Sequence, residues 1–450
     1  MDTMDKDKLL QLINDENTDT SVITDALENI NDADIAEIIE ELDEAQALRT
    51  FRVLPQDDAA DVFSYLSPDA QQNLVEDLTD PEIVEIMEEM PADDVADFIE
   101  DVPEDVAQRV MESISTEKGT VVDRLLDYPE DSAGSVMTTE IVELTQEMTV
   151  KDALNTIRTA GVDKETIYTC YVIDDERKLI GAVTADTMVH SDLNEKIKNL
   201  MNTNVITANT TDDREEVALQ FSKYDLLAMP VINRGGQLAG IVTVDDILRV
   251  IVEEDTEDFK IMGGTSPLDE PYLKTGVLRH VKSRILWLAL MMLTAIITGA
   301  IIVTFEDSLA VVPVLYAFIP MLMGAGGNAG AQSATVVIRG MALGDIVIKD
   351  LAKVVWRETR VALLCSLGLG LVNFLRVFFM YDRDYMLALV ITLSLCATLI
   401  IAKTIGCMLP LAAKKVNVDP AVMSAPLITT IVDCTALIVY FSIARLIMGI

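Results

Sequence analysis

The chain has 450 residues, room for roughly two to four domains, and carries 74 Asp and Glu against 34 Lys and Arg, a formal net charge of −40. Acid at that density repels nucleic acid and anionic lipid and attracts cations, which excludes a nucleic-acid binder. Five cysteines without a C-x-x-C pair and only two histidines exclude a disulfide framework and a His-based transition-metal centre.

The charge is uneven. Residues 1–280 hold 65 Asp and Glu against 21 Lys and Arg, a net of −44, whereas residues 281–450 hold 9 against 13. The opening MDTMDKDKLLQLINDENTD has no apolar core and no cleavage site, so the acidic part is expected to start in the cytoplasm. Residues 42–114 repeat with a period of twelve. An apolar residue recurs at Leu42, Leu54, Leu66, Leu78, Met90, Val102 and Ile114. Proline follows at Pro55, Pro91 and Pro103, and two residues later at Pro68, and acids cluster behind it. Proline in the first turn beside Asp or Glu starts a helix. A twelve-residue unit is one short helix and a turn, which predicts an acidic α-superhelical domain over residues 1–134.

Residues 137–252 contain two similar halves. The first runs from Val136-Met137-Thr138 to YVIDDERKLIGAVTADTMV at 171–189. The second runs from Leu200-Met201-Asn202-Thr203 to MPVINRGGQLAGIVTVDDIL at 229–248. Each ends in an apolar strand, a polar turn, a second strand and a helix. This order, met twice, resembles a tandem pair of CBS modules, placed at 135–198 and 199–252. Such pairs often bind adenine nucleotides through Thr or Ser followed three residues later by Asp. The second half has Thr243 and Asp246. The first has Thr184 followed by Thr187, with Asp186 adjacent. The resemblance therefore leaves two readings open: ATP held at Thr243 and Asp246, or a dimerising regulatory module without a nucleotide.

Five apolar segments follow, about 285–305, 309–333, 357–380, 385–410 and 421–447. Each can cross roughly 30 Å of hydrocarbon at about 1.5 Å per residue, which predicts an all-α five-helix transmembrane domain over 281–450. Arg279, Lys282 and Arg284, then Arg339, Lys349 and Lys353, then Lys414 and Lys415 mark one side. Glu306-Asp307 and Asp382-Arg383-Asp384 mark the other. Positive residues face the cytoplasm, so the N-terminus is expected inside and the C-terminus outside.

Two features within the spans carry chemistry. GAGGNAGAQSAT at 324–335, expected at the end of the second span, suits close helix packing. It also suits a backbone offering carbonyl oxygens to a hydrated ion, with Gly326, Gly327 and Asn328 lining a pore. Asp433 lies midway along the last span with no nearby cation in sequence, which marks a functional carboxylate, a protonated Asp or one paired with Lys403 of the fourth span. Pro426 is expected to free a backbone carbonyl, and Thr429 and Thr430 add hydroxyls. All are hard oxygen donors. One Asp per subunit on a dimer axis suits hydrated Mg²⁺ better than a Ca²⁺ cage.

On these marks, GAGGNAGAQS at 324–333 and DPAVMSAPLITTIVDCTALIVYF at 419–441 above all, the whole chain resembles the MgtE family of magnesium channels. The resemblance implies a multidomain fold: an α-superhelical N-domain, an α/β tandem CBS pair, a connecting plug helix within 245–280 and the five-helix transmembrane domain. It implies a homodimer with a central pore in the lipid of the cell membrane, with Mg²⁺ as both substrate and regulator. It places the pore aspartate at Asp433 and a mouth aspartate at Asp419. A helix at about 245–265 would plug the pore when Mg²⁺ fills acidic sites in the soluble part. Carried over by position, those carboxylates are Asp61, Asp93, Asp97, Asp213, Glu215, Asp225, Asp246, Glu254, Glu257 and Asp258. A further family acid stands as Arg249 here, which implies a weaker or missing sensing site. Two rivals are a secondary transporter coupled to Na⁺ or H⁺ and a membrane-anchored Mg²⁺ sensor. The chain has no phosphate-cradling G-x-x-x-x-G-K-[ST] loop and no nucleophile–base constellation, so neither an ATP-driven pump nor an enzyme is expected.

Overall fold

The computed structural model describes residues 3–14, 18–28, 30–160, 164–268, 272–273, 275–423 and 425–449. They fall into two compact units, Met1–Ile251 and Val252–Ile450, and the division lies inside one helix.

Ten helices come first among the described residues: α1 (Thr3–Asn14), α2 (Thr20–Leu27), α3 (Asp32–Glu41), α4 (Glu44–Phe51), α5 (Gln56–Ser64), α6 (Pro68–Asp77), α7 (Asp80–Glu89), α8 (Ala92–Asp101), α9 (Glu104–Ser113) and α10 (Thr116–Leu126). From α4 onward each starts twelve residues after the last, at 44, 56, 68, 80, 92, 104 and 116. The sequence period is thus one helix per unit. Leu66, Leu78, Met90 and Ile114 of the repeating apolar position are buried. Helices pack on the next but one, α3 on α5, α5 on α7 and α8 on α10, which builds the two columns of a solenoid. One detail differs from the sequence reading. Pro55, Pro91 and Pro103 are N-cap residues, just before the first turn. An extended cap accepts proline's fixed φ, and the helix loses no donor there. Distant units are tied by Arg52 to Glu82 at 2.8 Å and by Arg109 to Asp80 at 2.8 Å.

The first half of the following pair holds β1 (Glu143–Thr145), α11 (Val150–Ala160), β2 (Thr169–Ile173), β3 (Leu179–Thr184) and α12 (Ala185–Val189), and α13 (Ile197–Leu200) follows it. The second holds β4 (Ala208–Asn209), α14 (Arg214–Tyr224), β5 (Ala228–Ile232), β6 (Leu238–Thr243) and α15 (Val244–Met262). In each, the first strand pairs parallel with the second and the second antiparallel with the third. The register shifts at the matching places, Val172/Ile173 and Val231/Ile232. The opening segment of each half crosses over to bridge with the other. Ser132 and Thr138 bridge to Asp213 and Ile241 of the second half, and Asn202 bridges to Ala182 of the first. Glycine permits that crossing: a Cβ on Gly240 would lie 2.4 Å from the Thr138 carbonyl oxygen.

Among the described residues, the second unit has five helices long and apolar enough to span a membrane. In chain order its elements are α16 (Val277–Thr304), the short α17 (Glu306–Val311), α18 (Ile319–Ala342), α19 (Leu351–Met380), α20 (Tyr385–Lys415) and α21 (Ala425–Met448). Helices α18, α20 and α21 pack on one another, α19 covers α20, and α16 touches α21. Two expectations shift. The second span runs on to Ala342, so residues 324–335 are mid-helix, and α19 begins at Leu351, ahead of the expected 357. All five cysteines are free, with Cys170 and Cys407 buried and Cys365 exposed on α19.

The helical glycines act as contact points. A Cβ on Gly406 would lie 2.2 Å from the Gly330 carbonyl oxygen, and one on Gly326 would meet Thr398 and Val432 within 3 Å. Gly406→Ala should therefore destabilise the membrane domain by on the order of 1–3 kcal/mol, the cost of overpacking. A lower melting temperature of the purified protein in detergent checks this. Gly299→Ala, where nothing lies within 4 Å, should leave that temperature in place.

Candidate ion-binding sites

Folding gathers part of the soluble acid into one cluster. Asp93, Asp94 and Asp97 lie on α8, where spacings of three and four residues put them on one side. Asp245 and Asp246 open α15, and Glu165 joins them from the stretch before β2. Burial, then neighbouring Asp94, pushes the Asp93 carboxyl well up, and its Oδ1 is buried without a hydrogen-bond partner. Asp97 is exposed over much of its surface, yet desolvation of its carboxyl and then Asp94 push it up to about 7. Glu165 is likewise pushed up to about 7, by burial and then by Asp245, Asp246 and Asp94. Asp61 on α5 also rises through burial, with Asp32, Asp58 and Asp57 around it, and it adds to the field on Asp94. These groups repel one another wherever all are ionised.

Arg249 stands in this cluster. Its guanidinium pairs with Asp246 and acts on Asp94 and Asp97. Asp246 also accepts a hydrogen bond from Thr243 Oγ1 at 2.6 Å. Thr243 directly precedes α15 and Asp246 is its third residue, so the pair closes the start of the helix as a capping pair does. Thr184 and Thr187 do the same for α12, with their hydroxyls 2.8 Å apart. The two Thr-x-x positions that suggested a nucleotide thus have a structural use in both halves, and the Asp246 carboxylate is already engaged twice.

Asp213, Glu215 and Asp225 lie elsewhere. Asp213 caps α14 by accepting the Glu215 N–H at 2.8 Å, and Asp225 ends that helix in the left-handed conformation at φ 51°. Glu254, Glu257 and Asp258 form a second group on the far part of α15, inside the second unit. There Asp255 pairs with Arg339 at the end of α18, at 2.6 Å. Asp258 is pushed up to about 6, by burial and then by Asp419. Asp419 accepts the Ala421 N–H at 2.8 Å, in the turn leading into α21. The end of α15 therefore lies against the start of α21. Met262 packs into the membrane-helix core, and Gly264 approaches Pro426.

Asp433 is half-buried on α21, eight residues from its start, with no hydrogen-bond or ion-pair partner among the described residues. The expected alternative partner is taken: Lys403 pairs with Glu358. Pro426 does not free a helical carbonyl, because it stands in the first turn, where no intrahelical donor is lost. Its own carbonyl accepts from Thr429 at 2.9 Å and from Thr430 at 3.1 Å. The interior proline is Pro410 of α20. Gly326 and Gly327 are buried against α20 and α21 and serve packing, while Asn328 is exposed on α18. Helical hydrogen bonding occupies the carbonyls that a turn would have offered. Among the described residues, no three His, Cys, Asp or Glu side chains form a cluster able to hold a metal ion.

The sequence reading missed Asp94, Asp245, Glu165 and Glu358. Glu358 had a signal, being an acid at the head of the third apolar run with its opposite, Lys403, in the fourth. Glu165 had none, since its neighbours come from distant elements.

Comparison with known proteins covers the whole length. A family model described as MgtE, divalent cation transporter, matches residues 319–443, and one described as the MgtE intracellular N domain matches 30–131. CBS domain models match 133–193 and 197–253. The magnesium transporter MgtE of Thermus thermophilus is 36% identical over 433 residues, covering 96% of each chain. That of Bacillus subtilis is 36% identical over 338 residues, 74% of this chain and 73% of that protein. Among solved structures, the cytosolic domain of the Mg²⁺ channel MgtE in complex with ATP is 34% identical, with a TM-score of 0.52, and covers 55% of this chain and 99% of that one.

The raised carboxyls set a pH dependence. Asp97, Glu165 and Asp258 hold their protons up to about 7, 7 and 6 when folded, whereas unfolded carboxyls release theirs near 4. Between about pH 4 and 7 the folded state binds more protons, so stability falls as pH rises through that window and levels off above it. Melting in EDTA should therefore shift upward as pH drops from 8 to 5. A flat or inverted profile would contradict the clustering.

Proposed function

We propose that this chain, which belongs to the MgtE family of divalent cation transporters, passes Mg²⁺ through its membrane helices and closes that route when Mg²⁺ accumulates on its acidic sites. The observation that carries the reading is Asp433. A carboxylate within a membrane helix is costly, and this one has no compensating cation among the described residues while Lys403 is matched by Glu358. An uncompensated acid on a packed helix recruits a cation. Mg²⁺ keeps its waters and needs only one or two carboxylates, which suits a site without a three-ligand cluster. A homodimer would supply a second Asp433. Five spans, with Arg279, Lys282, Arg339, Lys349, Lys414 and Lys415 on one side, support an N-terminus in the cytoplasm of a multi-pass membrane protein.

Closure follows from repulsion. Mg²⁺ near Asp258 and Asp419 would neutralise two acids that face each other where α15 meets the start of α21, and so hold the helix end on the mouth. Mg²⁺ near Asp93, Asp97 and Asp246 would likewise tighten α8 against the start of α15. Binding shifts such an equilibrium only by its differential affinity for the closed state. Arg249 already supplies one fixed positive charge to the second cluster, so that cluster needs fewer ions.

Asp433→Ala should abolish Mg²⁺ flux in proteoliposomes that carry no Na⁺ or H⁺ gradient. Native protein silent under those conditions would favour a coupled transporter if flux returns with a Na⁺ or H⁺ gradient and a membrane-anchored sensor if it does not, and native-like flux in the variant would remove Asp433 from the ion path. Proteolysis within α15 should slow as Mg²⁺ rises into the millimolar range, and cleavage indifferent to Mg²⁺ would count against closure. Arg249→Gln should raise the Mg²⁺ concentration needed for that protection, and an unchanged midpoint would remove Arg249 from the sensing cluster.

A further inference from the structure

Three polar side chains from three helices meet inside the membrane domain. Ser333 of α18 donates its Oγ–H to Glu358 Oε2 of α19 at 2.6 Å. Lys403 of α20 donates from Nζ to Ser333 Oγ at 3.2 Å and stands 3.7 Å from Glu358 Oε2. Lys403 is only 7% exposed. The roles fit: the serine accepts from the ammonium and donates to the carboxylate, so one hydroxyl links both charges. Glu358 lies seven residues into α19 and Ser333 nine from the end of α18, which sets them roughly 10–14 Å along those helices at 1.5 Å per residue.

The triad adjoins the tightest helix contact. Ser333 is one turn beyond Gly330, and Lys403 is one turn before Gly406. A Cβ on Gly330 would meet Ile428 at 2.8 Å, and both Val432 and the Ala402 carbonyl oxygen at 3.3 Å. Ala402 precedes Lys403, and Val432 precedes Asp433. The spacing of α18 from α20, and through Gly330 of α18 from the Asp433 turn of α21, is therefore set beside the three polar groups. A lone ammonium at this place would also oppose any cation drawn to Asp433.

Building on the reading of Asp433 as the ion-passing acid, we infer that Glu358, acting through Ser333, is a positioning and charge-compensating residue for cation passage. It cancels Lys403 and holds α18 so that Asp433 meets the ion. Removing one member of a buried pair strands the other charge, whereas removing both does not.

The test uses the full-length protein in proteoliposomes, with initial Mg²⁺ flux measured across a range of Mg²⁺ concentrations. Glu358→Gln should lower flux by about tenfold or more, because an unpaired ammonium remains in the membrane. The double variant Glu358→Gln/Lys403→Gln should recover to within about threefold of native. A purely structural pair would recover in the same way, so the ion preference carries the distinction. Reversal potentials add a charge readout, with Mg²⁺ preference over Cl⁻ reduced in Glu358→Gln and regained in the double variant. Native flux in Glu358→Gln, or a double variant no better than the single, would overturn the inference. Should Glu358→Gln fail to fold, Ser333→Ala keeps both charges and should lose flux about two- to fivefold, through loss of a charge-assisted hydrogen bond, without loss of charge preference. Native flux in Ser333→Ala would then overturn the inference. Asp433→Asn run alongside separates the two ideas: full flux there defeats the ion-passing role itself, whereas its loss beside an unaffected Glu358→Gln defeats only the role of Glu358.

Discussion

The near contact of two backbones, Gly330 on α18 and Gly406 on α20, governs the membrane domain. Lipid tails are as apolar as leucine, so the hydrophobic effect does not pull membrane helices together; packing and polar contacts must do so. Small residues let α18, α20 and α21 approach until backbone meets side chain, with Gly326 and Gly330 both against Val432. The residue that follows Val432 is Asp433. The glycine stretch therefore contributes to function through placement: it brings the acid's helix to a fixed distance, and Thr429 and Thr430 anchor back onto the Pro426 carbonyl.

Much of this was legible in the sequence, and the failures have physical causes. The period of twelve gave the helix starts from α4 to α10 because each repeat is one complete helix whose boundary is marked locally by proline, serine, threonine or, at α4, aspartate. The five spans were legible because apolar length is a one-dimensional property. The GAGGNAGAQS stretch was misplaced because glycine signals both turns and tight helix packing, and only neighbouring helices decide between them. Pro426 was read as an interior proline because the helix start at Ala425 depends on the turn before it, while Pro410, the interior one, drew no notice in a long apolar run.

Charge pairing was the least legible layer. Lys403 stood near Asp433 only as one intramembrane charge stands near another in a short list. The fold gives it to Glu358, on a helix that packs directly on its own. That assignment leaves Asp433 uncompensated, which changes its meaning from a balanced ion pair to a standing attraction for cations. Likewise Asp93 and Asp97 were found by spacing on α8, but Glu165 reaches them from another element, and its effect is read only through the crowding that raises its carboxyl to about 7.

Helix α15 unites two clusters that differ in kind. At its start, Asp246 is held by Thr243 and Arg249, so part of the acid there is satisfied by the protein itself. At its end, Asp258 faces Asp419 while the neighbouring Asp255 is matched by Arg339. One residue on each side of that end is thus fixed by a salt bridge and one is left in repulsion. An arrangement of that sort keeps the helix end in place while making its hold sensitive to mobile cations, because the salt bridge sets position and the facing acids set the dependence on concentration. A fully paired end would bind tightly at any Mg²⁺ level and could report nothing; a fully unpaired one would not stay near the mouth. On the proposed reading of closure, the mixture of matched and unmatched carboxylates, more than the total of −40, would give the acid of this chain its capacity to measure an ion.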